Sequence, residues 1–135
     1  MVRIKYRYVL AELIFSDTLT SSVDSKLIYQ SIADTTREFF GDIAYSKLTE
    51  GLSLKYFNPI TTTCIIRASR ANIGILMSSL IITNSIGSRK CKWRTIKISG
   101  TINRCESTLR RLTISWLREK ERYKHIMQEA QPMHN

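Results

Sequence analysis

The residues with the clearest chemical potential are cations concentrated in one part of the chain. Residues 55–105 contain nine Lys or Arg and no Asp or Glu, within a chain of net charge +10. These nine are Lys55, Arg67, Arg70, Arg89, Lys90, Lys92, Arg94, Lys97 and Arg104. Residues 1–10 add Arg3, Lys5 and Arg7, again without an acid. Ordinary surfaces mix both signs of charge, so this run predicts a polyanionic partner. Nucleic acid is the first candidate because its phosphates form a dense line of negative charge, and an anionic membrane surface is the second.

Catalytic and metal-binding patterns are missing from the sequence. Cys64, Cys91 and Cys105 show no C-x-x-C spacing, and both histidines, His125 and His134, lie near the C-terminus. Zinc ligands need closer spacing. No Ser or Cys stands beside a base in a recognisable motif, and the basic half has no paired carboxylates. We therefore expect a non-catalytic chain that binds no metal or cofactor and keeps its thiols reduced in an intracellular compartment.

Membrane and secretory segments are not expected either. The first residues alternate charged and apolar side chains, which does not build the apolar region of a secretory signal. The longest apolar run, residues 73–83, is interrupted by Ser78 and Ser79 and is too short to span a bilayer.

Four strands follow from alternating apolar residues. They are predicted over residues 7–15, 52–57, 63–69 and 92–100, with Asn58-Pro59 as the turn between the second and third. The side chains predicted to face a core are Leu54, Tyr56, Ile66 and Ala68. The opposite face would then carry the cations Lys55, Arg67 and Lys97. It would also carry Tyr8, Leu10 and Ile65, and these imply a covering element or a protein partner.

Helices are predicted between the strands and after the last one. Ser21-x-x-Asp24 resembles a capping box, and the helix that follows is expected to end at Gly41. In residues 70–84 the β-branched content favours a strand, but Ile73, Met77, Leu80 and Ile81 fit a buried helix, and a buried helix is the prediction. Apolar residues then step by three and four along residues 102–128, which indicates an amphipathic helix.

The order β-α-β-β-α-β predicts an α+β fold, a ferredoxin-like or RRM-like sandwich. In it, a four-stranded antiparallel sheet carries two helices on one side. We expect residues 1–101 to form the sandwich, residues 102–128 to add a C-terminal helix packed on the same domain, and residues 129–135 to be a flexible tail.

Three segments resemble, in order, a known family. They are MVRIKYRYVLAELIF at the start, GLSLKYFNPITTTCIIRASR in the middle and KISGTINRCE near the end. The family is the small protein subunit of ribonuclease P and ribonuclease MRP known as processing-of-precursors subunit five. Its strongest elements here are Met-Val-Arg-x-Lys-x-Arg-Tyr, the Tyr-x-Asn-x-x-Thr hairpin with its Ile-Ile-Arg strand, and Gly-Thr-Ile-x-x-Cys. The similarity covers most of residues 1–112.

The resemblance implies a non-catalytic, RNA-binding subunit of a nuclear and nucleolar ribonucleoprotein. The RNA of that complex, with Mg²⁺, would cleave the 5′ leader of precursor tRNA and act in rRNA processing. Implied partners are the ribonuclease P/MRP RNA, precursor tRNA, a TIM-barrel-type protein subunit and a small subunit of similar fold that forms a heterodimer with this one; no membrane is implied. Matching positions place RNA near Arg3, Lys5, Arg7, Lys55, Arg67 and the stretch from Lys97 to Arg104. For Arg89, Lys90, Lys92 and Arg94, the RNA assignment rests on charge alone.

Two alternatives remain open at this point. A free-standing RRM-like protein would bind single-stranded RNA, although the third predicted strand lacks the aromatic residues on which such domains stack bases. Cations without stacking aromatics suit contacts with the backbone of a structured RNA better. A basic protein-interaction module, whose cations meet an acidic protein, is the other alternative.

Overall fold

The computed structural model describes residues 3–16 and 23–130. The chain divides into two compact units, Met1–Cys105 and Glu106–Asn135. In chain order the elements are β1 (Tyr6–Phe15), α1 (Ser25–Gly51), β2 (Ser53–Asn58), β3 (Thr63–Ser69), α2 (Ile73–Ile82), β4 (Ser85–Ile86), β5 (Arg89–Ser99) and α3 (Ile102–Ala130). No helix among these described ranges has the length and apolar character needed to cross a membrane.

The first unit is an α+β structure built on a five-stranded antiparallel sheet. Its strand order is β2-β3-β1-β5-β4, and the four longer strands are the four predicted from alternation. The prediction of a four-stranded sheet is wrong by one strand. The additional strand β4 has only two residues and forms a hairpin with the start of β5 around Gly87, whose φ is +63°. Two residues are too few for any periodic signal.

Helix α1 begins three residues later than the predicted capping box implies, with Asp24 and not Ser21 as the N-cap, and it does not end as expected. The Asp24 side chain caps it by accepting a hydrogen bond of 2.7 Å from the Leu27 N–H. Ser21, the other member of the predicted capping box, lies outside the described residues. Gly41 has a φ of 90° and breaks the helix where a C-cap was predicted, yet helical structure resumes and runs to Gly51. The prediction of an end at Gly41 is therefore half right.

Helices α1 and α2 cover one face of the sheet and form the core with it. The sheet contributes Val9, Ala11, Leu13, Cys64, Ile66 and Ala68, and the helices contribute Ile28, Ile32, Leu48, Leu76 and Leu80. A hydrogen bond of 2.7 Å joins the buried hydroxyls of Thr36 and Ser79 between the two helices. The helix predicted within residues 70–84 is confirmed, but Ile81 is 80% exposed and not buried.

Each of two strands carries one extra residue, a β-bulge. In β2, Leu54 pairs with Ile66 but Tyr56 pairs with Ile65, so Lys55 is left over. The bulge reverses the alternation, because every residue after it turns to the other face. Tyr56 therefore stands exposed on the face away from the core, contrary to the prediction, and Phe57 packs against the core in its place.

The second bulge lies in β5. Leu10 of β1 pairs with Lys97, whereas the next residue, Ala11, pairs with Thr95, so Ile96 has no partner on β1. Before and after this bulge, Arg94 and Lys97 both project to the face away from the core, although three positions separate them. The bulge thus gathers on one face cations that strict alternation would place on opposite faces.

The second unit consists of the remaining turns of α3. Within it, the Lys120 ammonium lies 4.3 Å from the centroid of the Trp116 ring, and the Thr113 hydroxyl donates to the Leu109 carbonyl at 2.9 Å. The predicted packing of this helix on the sandwich and the predicted domain boundaries stay predictions. Of the predicted flexible tail, residues 131–135 lie outside the described residues.

Candidate nucleic-acid interface

Three of the predicted RNA-binding cations line one groove at the end of the sheet where β1 begins and β3 ends. Arg3 and Lys5 come from the segment before β1, and Arg70 comes from the turn that follows β3. All three are exposed, and the groove has a volume of about 590 Å³. The Arg70 backbone N–H donates to the Lys5 carbonyl at 2.8 Å, which holds the two cationic segments together.

We call this groove the N-terminal groove. Its remaining walls are held by close packing and hydrogen bonds between the segments that form them. A Cβ on the buried Gly51 would lie 3.2 Å from the Ser69 nitrogen and 3.4 Å from Tyr6 Cε1, so glycine allows the approach of the chain here. The Asn72 amide donates to the Lys47 carbonyl at 2.9 Å and to the Ser69 hydroxyl at 2.8 Å. These contacts fix the turn that carries Arg70.

A second set of cations lies on the sheet face opposite the core. Lys92, Arg94 and Lys97 of β5 pair with Ile14, Glu12 and Leu10 of β1, and paired residues share a face. Arg94 Nε lies 2.6 Å from Glu12 Oε1, with side chains 60% and 25% exposed respectively. Arg94 is therefore partly neutralised by an acid from outside the basic stretch of residues 55–105. Lys92 is exposed and Lys97 is half-buried.

Arg67 connects this sheet face to the N-terminal groove. It pairs with Tyr8 across β1 and β3, its Nε donates to the Gly51 carbonyl at 3.3 Å, and its guanidinium carbon lies 4.3 Å from the centroid of the Tyr6 ring. The side chain is half-buried. Arg67 thus binds protein groups as well as facing the open side that the alternation predicts.

The remaining predicted cations are distributed over other parts of the surface. Arg7 is half-buried and donates from Nη1 to the Tyr6 carbonyl at 3.2 Å. The Arg89 guanidinium lies 3.9 Å from the centroid of the Phe15 ring. The exposed members of this set are Lys55 in the β2 bulge, Lys90 in the β4–β5 hairpin and Arg104 in the first turn of α3. The structure therefore does not gather all twelve predicted residues into one site.

The predicted protein-partner residues differ in accessibility. Leu10 and Ile65 pair across β1 and β3 on the face away from the core, and neither has any exposed surface. Their burial leaves no surface for a partner in this structure, and their assignment to a protein partner stays a prediction. Tyr8 is half-buried, and its carbonyl accepts a hydrogen bond of 3.5 Å from Cys105 Sγ.

The three cysteines are buried free thiols. Burial raises the pKa of the Cys64 thiol far above its ordinary value, and burial is also the main cause of the raised pKa of Cys91. Such thiols stay protonated at neutral pH and are poor nucleophiles. Among residues 3–16 and 23–130, no three His, Cys, Asp or Glu side chains come together in a way that could hold a metal ion.

Sequence reasoning missed two residues that shape the interface. Glu12 neutralises Arg94, and the available signal was the alternation of β1, which places Glu12 on the face of Tyr8 and Leu10. Tyr6 lines the N-terminal groove, but the sequence offers no signal that brings it next to Arg70 before the pairing of β1 with β3 is known.

Comparison with known proteins agrees with this structure. The family model of the Rpp14/Pop5 family matches residues 7–110. The chain is 33% identical over 116 residues to the ribonuclease P/MRP protein subunit POP5 of Schizosaccharomyces pombe, covering 78% of this chain and 84% of that protein. It is 32% identical over 127 residues to POP5 of Saccharomyces cerevisiae (78% and 73% covered) and 25% identical over 114 residues to POP5 of Homo sapiens (81% and 70% covered).

A structural likeness adds to these sequence matches. A chain in the cryo-EM structure of yeast ribonuclease MRP superposes with a TM-score of 0.56, covering 90% of this chain and 98% of that one at 12% identity. At that identity the likeness concerns the fold alone. The family model spans β1 to the early turns of α3, which includes the β5 cations and Arg70. On the sequence matches, the chain belongs to the Rpp14/Pop5 family, as its sequence motifs predict.

Proposed function

We propose that this chain is a non-catalytic, RNA-binding protein subunit of ribonuclease P and ribonuclease MRP. It supports the RNA of the complex in the 5′ processing of precursor tRNA and in rRNA processing. The observation that carries the proposal is the family match, since each relative named above is a ribonuclease P/MRP protein subunit. The buried, protonated thiols and the surface cations agree with a chain that binds RNA without cleaving it.

The cations act on phosphates and not on bases. Lys92 and Lys97 stand on one face of the sheet and reduce the repulsion between RNA segments that converge there. Each phosphate neutralised releases condensed counterions, so binding weakens steeply as salt rises. Phosphate contacts position an RNA without reading its sequence. The Mg²⁺ that cleavage requires is held by the RNA, and this chain binds no cofactor of its own.

We also propose that the sandwich is ferredoxin-like or RRM-like. The order β2-β3-β1-β5 of its four longer strands supports this, as does the placement of α1 and α2 against one face of the sheet. The localisation proposed with this function is the nucleus and nucleolus, and no membrane is involved.

The proposed partners are the ribonuclease P/MRP RNA, precursor tRNA, a TIM-barrel-type protein subunit and a small subunit of similar fold that forms a heterodimer. An apolar cluster at the break in α1 supports a protein partner. Phe39, Phe40 and Ile43 surround Gly41 in sequence and are 57%, 43% and 74% exposed. Neighbouring exposed apolar side chains of this size are typical of interaction sites.

The test is to recover the tagged, full-length protein from its own cells under native conditions, sequence the bound RNA and assay the same fraction for cleavage of precursor tRNA. One or two abundant structured RNAs together with cleavage activity are expected. A broad collection of messenger fragments would replace the proposal with a free-standing RNA-binding protein. Recovery of proteins without enriched RNA would replace it with a protein-interaction module.

A further inference from the structure

We propose that the N-terminal groove binds an unpaired nucleotide of single-stranded RNA, with its base against Tyr6 and its phosphates on Arg3, Lys5 and Arg70. This inference rests on the proposed function, because RNA must be the partner. It assigns to the groove a different RNA element from the structured RNA proposed for the β5 face, which adds a second binding mode to the same chain.

Charge and shape favour this ligand. Three cations and one acid, Glu50, line the groove, so the groove carries an excess of positive charge. Its volume of about 590 Å³ lies within the roughly 300–1,000 Å³ of pockets that enclose small molecules. A duplex keeps its bases paired and stacked, whereas a flexible single strand can present one base to Tyr6 while its phosphates meet the cations.

Tyr6 provides the surface for a base. Tyr6 lines the groove, and the Arg67 guanidinium lies 4.3 Å from the centroid of its ring. Arg67 is itself fixed by its hydrogen bond to the Gly51 carbonyl, so the ring is supported by a cation that does not depend on the ligand. Aromatic rings beside basic residues are typical of single-strand binding sites, in which bases stack without regard to sequence.

The groove is also organised before any ligand binds. The Arg70–Lys5 backbone hydrogen bond and the two hydrogen bonds of Asn72 fix the walls, and the close approach at Gly51 fixes the floor. A site held in its binding geometry loses less conformational entropy on binding than a flexible one. A second groove, lined by Lys90, Lys92 and Phe15, has a comparable volume of about 580 Å³ but only two cations.

The experiment uses the full chain and two labelled RNAs, a short unstructured oligouridine and a stable hairpin, with affinities measured by fluorescence anisotropy over a range of salt. Groove variants are Arg70→Gln and Tyr6→Leu, with Tyr6→Phe as the variant that keeps the ring. Lys97→Gln on the β5 face is the matched control for charge. Circular dichroism and thermal melting establish that each variant is folded.

Both groove variants are expected to weaken oligouridine binding by about fivefold or more while hairpin binding changes by less than about twofold. Arg70→Gln should also flatten the salt dependence, by about 0.7 in the slope of log K against log salt. Tyr6→Leu should leave that slope unchanged, because it removes a stacking surface and no charge. Tyr6→Phe should retain oligouridine affinity, and Lys97→Gln should weaken the hairpin and not the oligouridine.

Results that differ from these expectations would each contradict one part of the proposal. Unchanged oligouridine affinity in both groove variants, with hairpin binding intact, would remove the groove as a nucleotide site and leave the proposed function standing. A loss in Arg70→Gln without a loss in Tyr6→Leu would remove the stacked base. Failure of the unmodified, folded chain to bind either RNA would overturn the proposed function and this inference with it.

Discussion

The ion pair between Glu12 and Arg94 makes the electrostatics of the β5 face testable. Glu12→Gln removes the negative partner while keeping the size of the side chain, so Arg94 becomes available to a phosphate. We expect the variant to bind structured RNA more tightly at low salt than the unmodified chain. The expectation depends on the proposed function, because it assumes that the phosphates of a structured RNA bind to this chain.

The magnitude follows from one additional phosphate contact. The slope of log K against log salt should steepen by about 0.7–0.9, so the advantage of the variant should shrink by about threefold between 50 and 200 mM salt. Stability should change little. Arg94 is 60% exposed and Glu12 25% exposed, and such a pair contributes about 0.2–1 kcal/mol to the free energy of unfolding.

The assay is anisotropy of a labelled hairpin RNA with the full chain at four or more salt concentrations. Glu38→Gln, on the exposed surface of α1, changes the net charge equally and serves as the control. In the Arg94→Ala background, Glu12→Gln should no longer change RNA affinity, and a double-mutant cycle measures this loss of effect. Equal slopes in Glu12→Gln and Glu38→Gln would refute the reasoning, because the gain would then come from net charge and not from the freed Arg94.

Three further predictions concern the fold. Asp24→Ala removes the acceptor for the Leu27 N–H and should lower the free energy of unfolding, measured in urea, by about 1 kcal/mol. Asp24→Asn keeps an acceptor and should lower it much less. Equal losses in the two variants would contradict the role of Asp24 as the N-cap. Ile66→Ala opens the core, where Ile66 is fully buried, and should cost about 2–5 kcal/mol in the same assay; a loss below about 1 kcal/mol would contradict the core placement. Burial raises the pKa of Cys64, so its contribution to stability is complete at low pH and should decline as pH rises above about 8.5, where the thiol of the unfolded chain ionises. At pH 8 a thiol reagent should label Cys64 no faster than the chain unfolds, and rapid labelling of the native protein would contradict its burial.

Long periodic elements could be predicted from the sequence because the spacing of their apolar residues fits only one type of secondary structure. Val9, Ala11 and Leu13 alternate along β1 and all three are buried in the core, as expected. Gly41 was predicted to end the helix and does interrupt it, since its positive φ suits glycine. The resumption of the helix up to Gly51 was not predicted, although Asp42 directly after Gly41 is a residue type preferred at the start of a helix.

The bulge in β2 explains the error in the predicted face of Tyr56, whereas the error at Ile81 lies in α2 and involves no bulge. The two bulged residues are Lys55 and Ile96. Neither is a glycine, the residue type that marks some bulges. The alternation of apolar and polar residues in β2 gives no sign that Tyr56, after Lys55, turns to the face away from the core. Tertiary pairing, and not local preference, decides where the extra residue is accommodated.

The cations of the candidate interface were found from composition, but their grouping was not. Arg3 and Arg70 are distant in sequence and come together only because β1 and β3 are antiparallel neighbours. Likewise, Glu12 reaches Arg94 only through the register of β1 with β5. A charge count identifies the kind of partner, whereas the pairing of strands determines which charges remain available to it.

Both bulges lie in strands at the margins of the sheet, and this bears on self-association. β2 is the outer strand on one side, and on the other side β4 covers only the first residues of β5. An uncovered strand margin invites the backbone of another chain to continue the sheet, the first step of edge-to-edge aggregation. A bulge interrupts the regular row of N–H and C=O groups that such an addition requires, and Lys55, Lys92 and Lys97 repel a second copy of the chain. The sheet thus ends at both margins in a form that discourages strand addition.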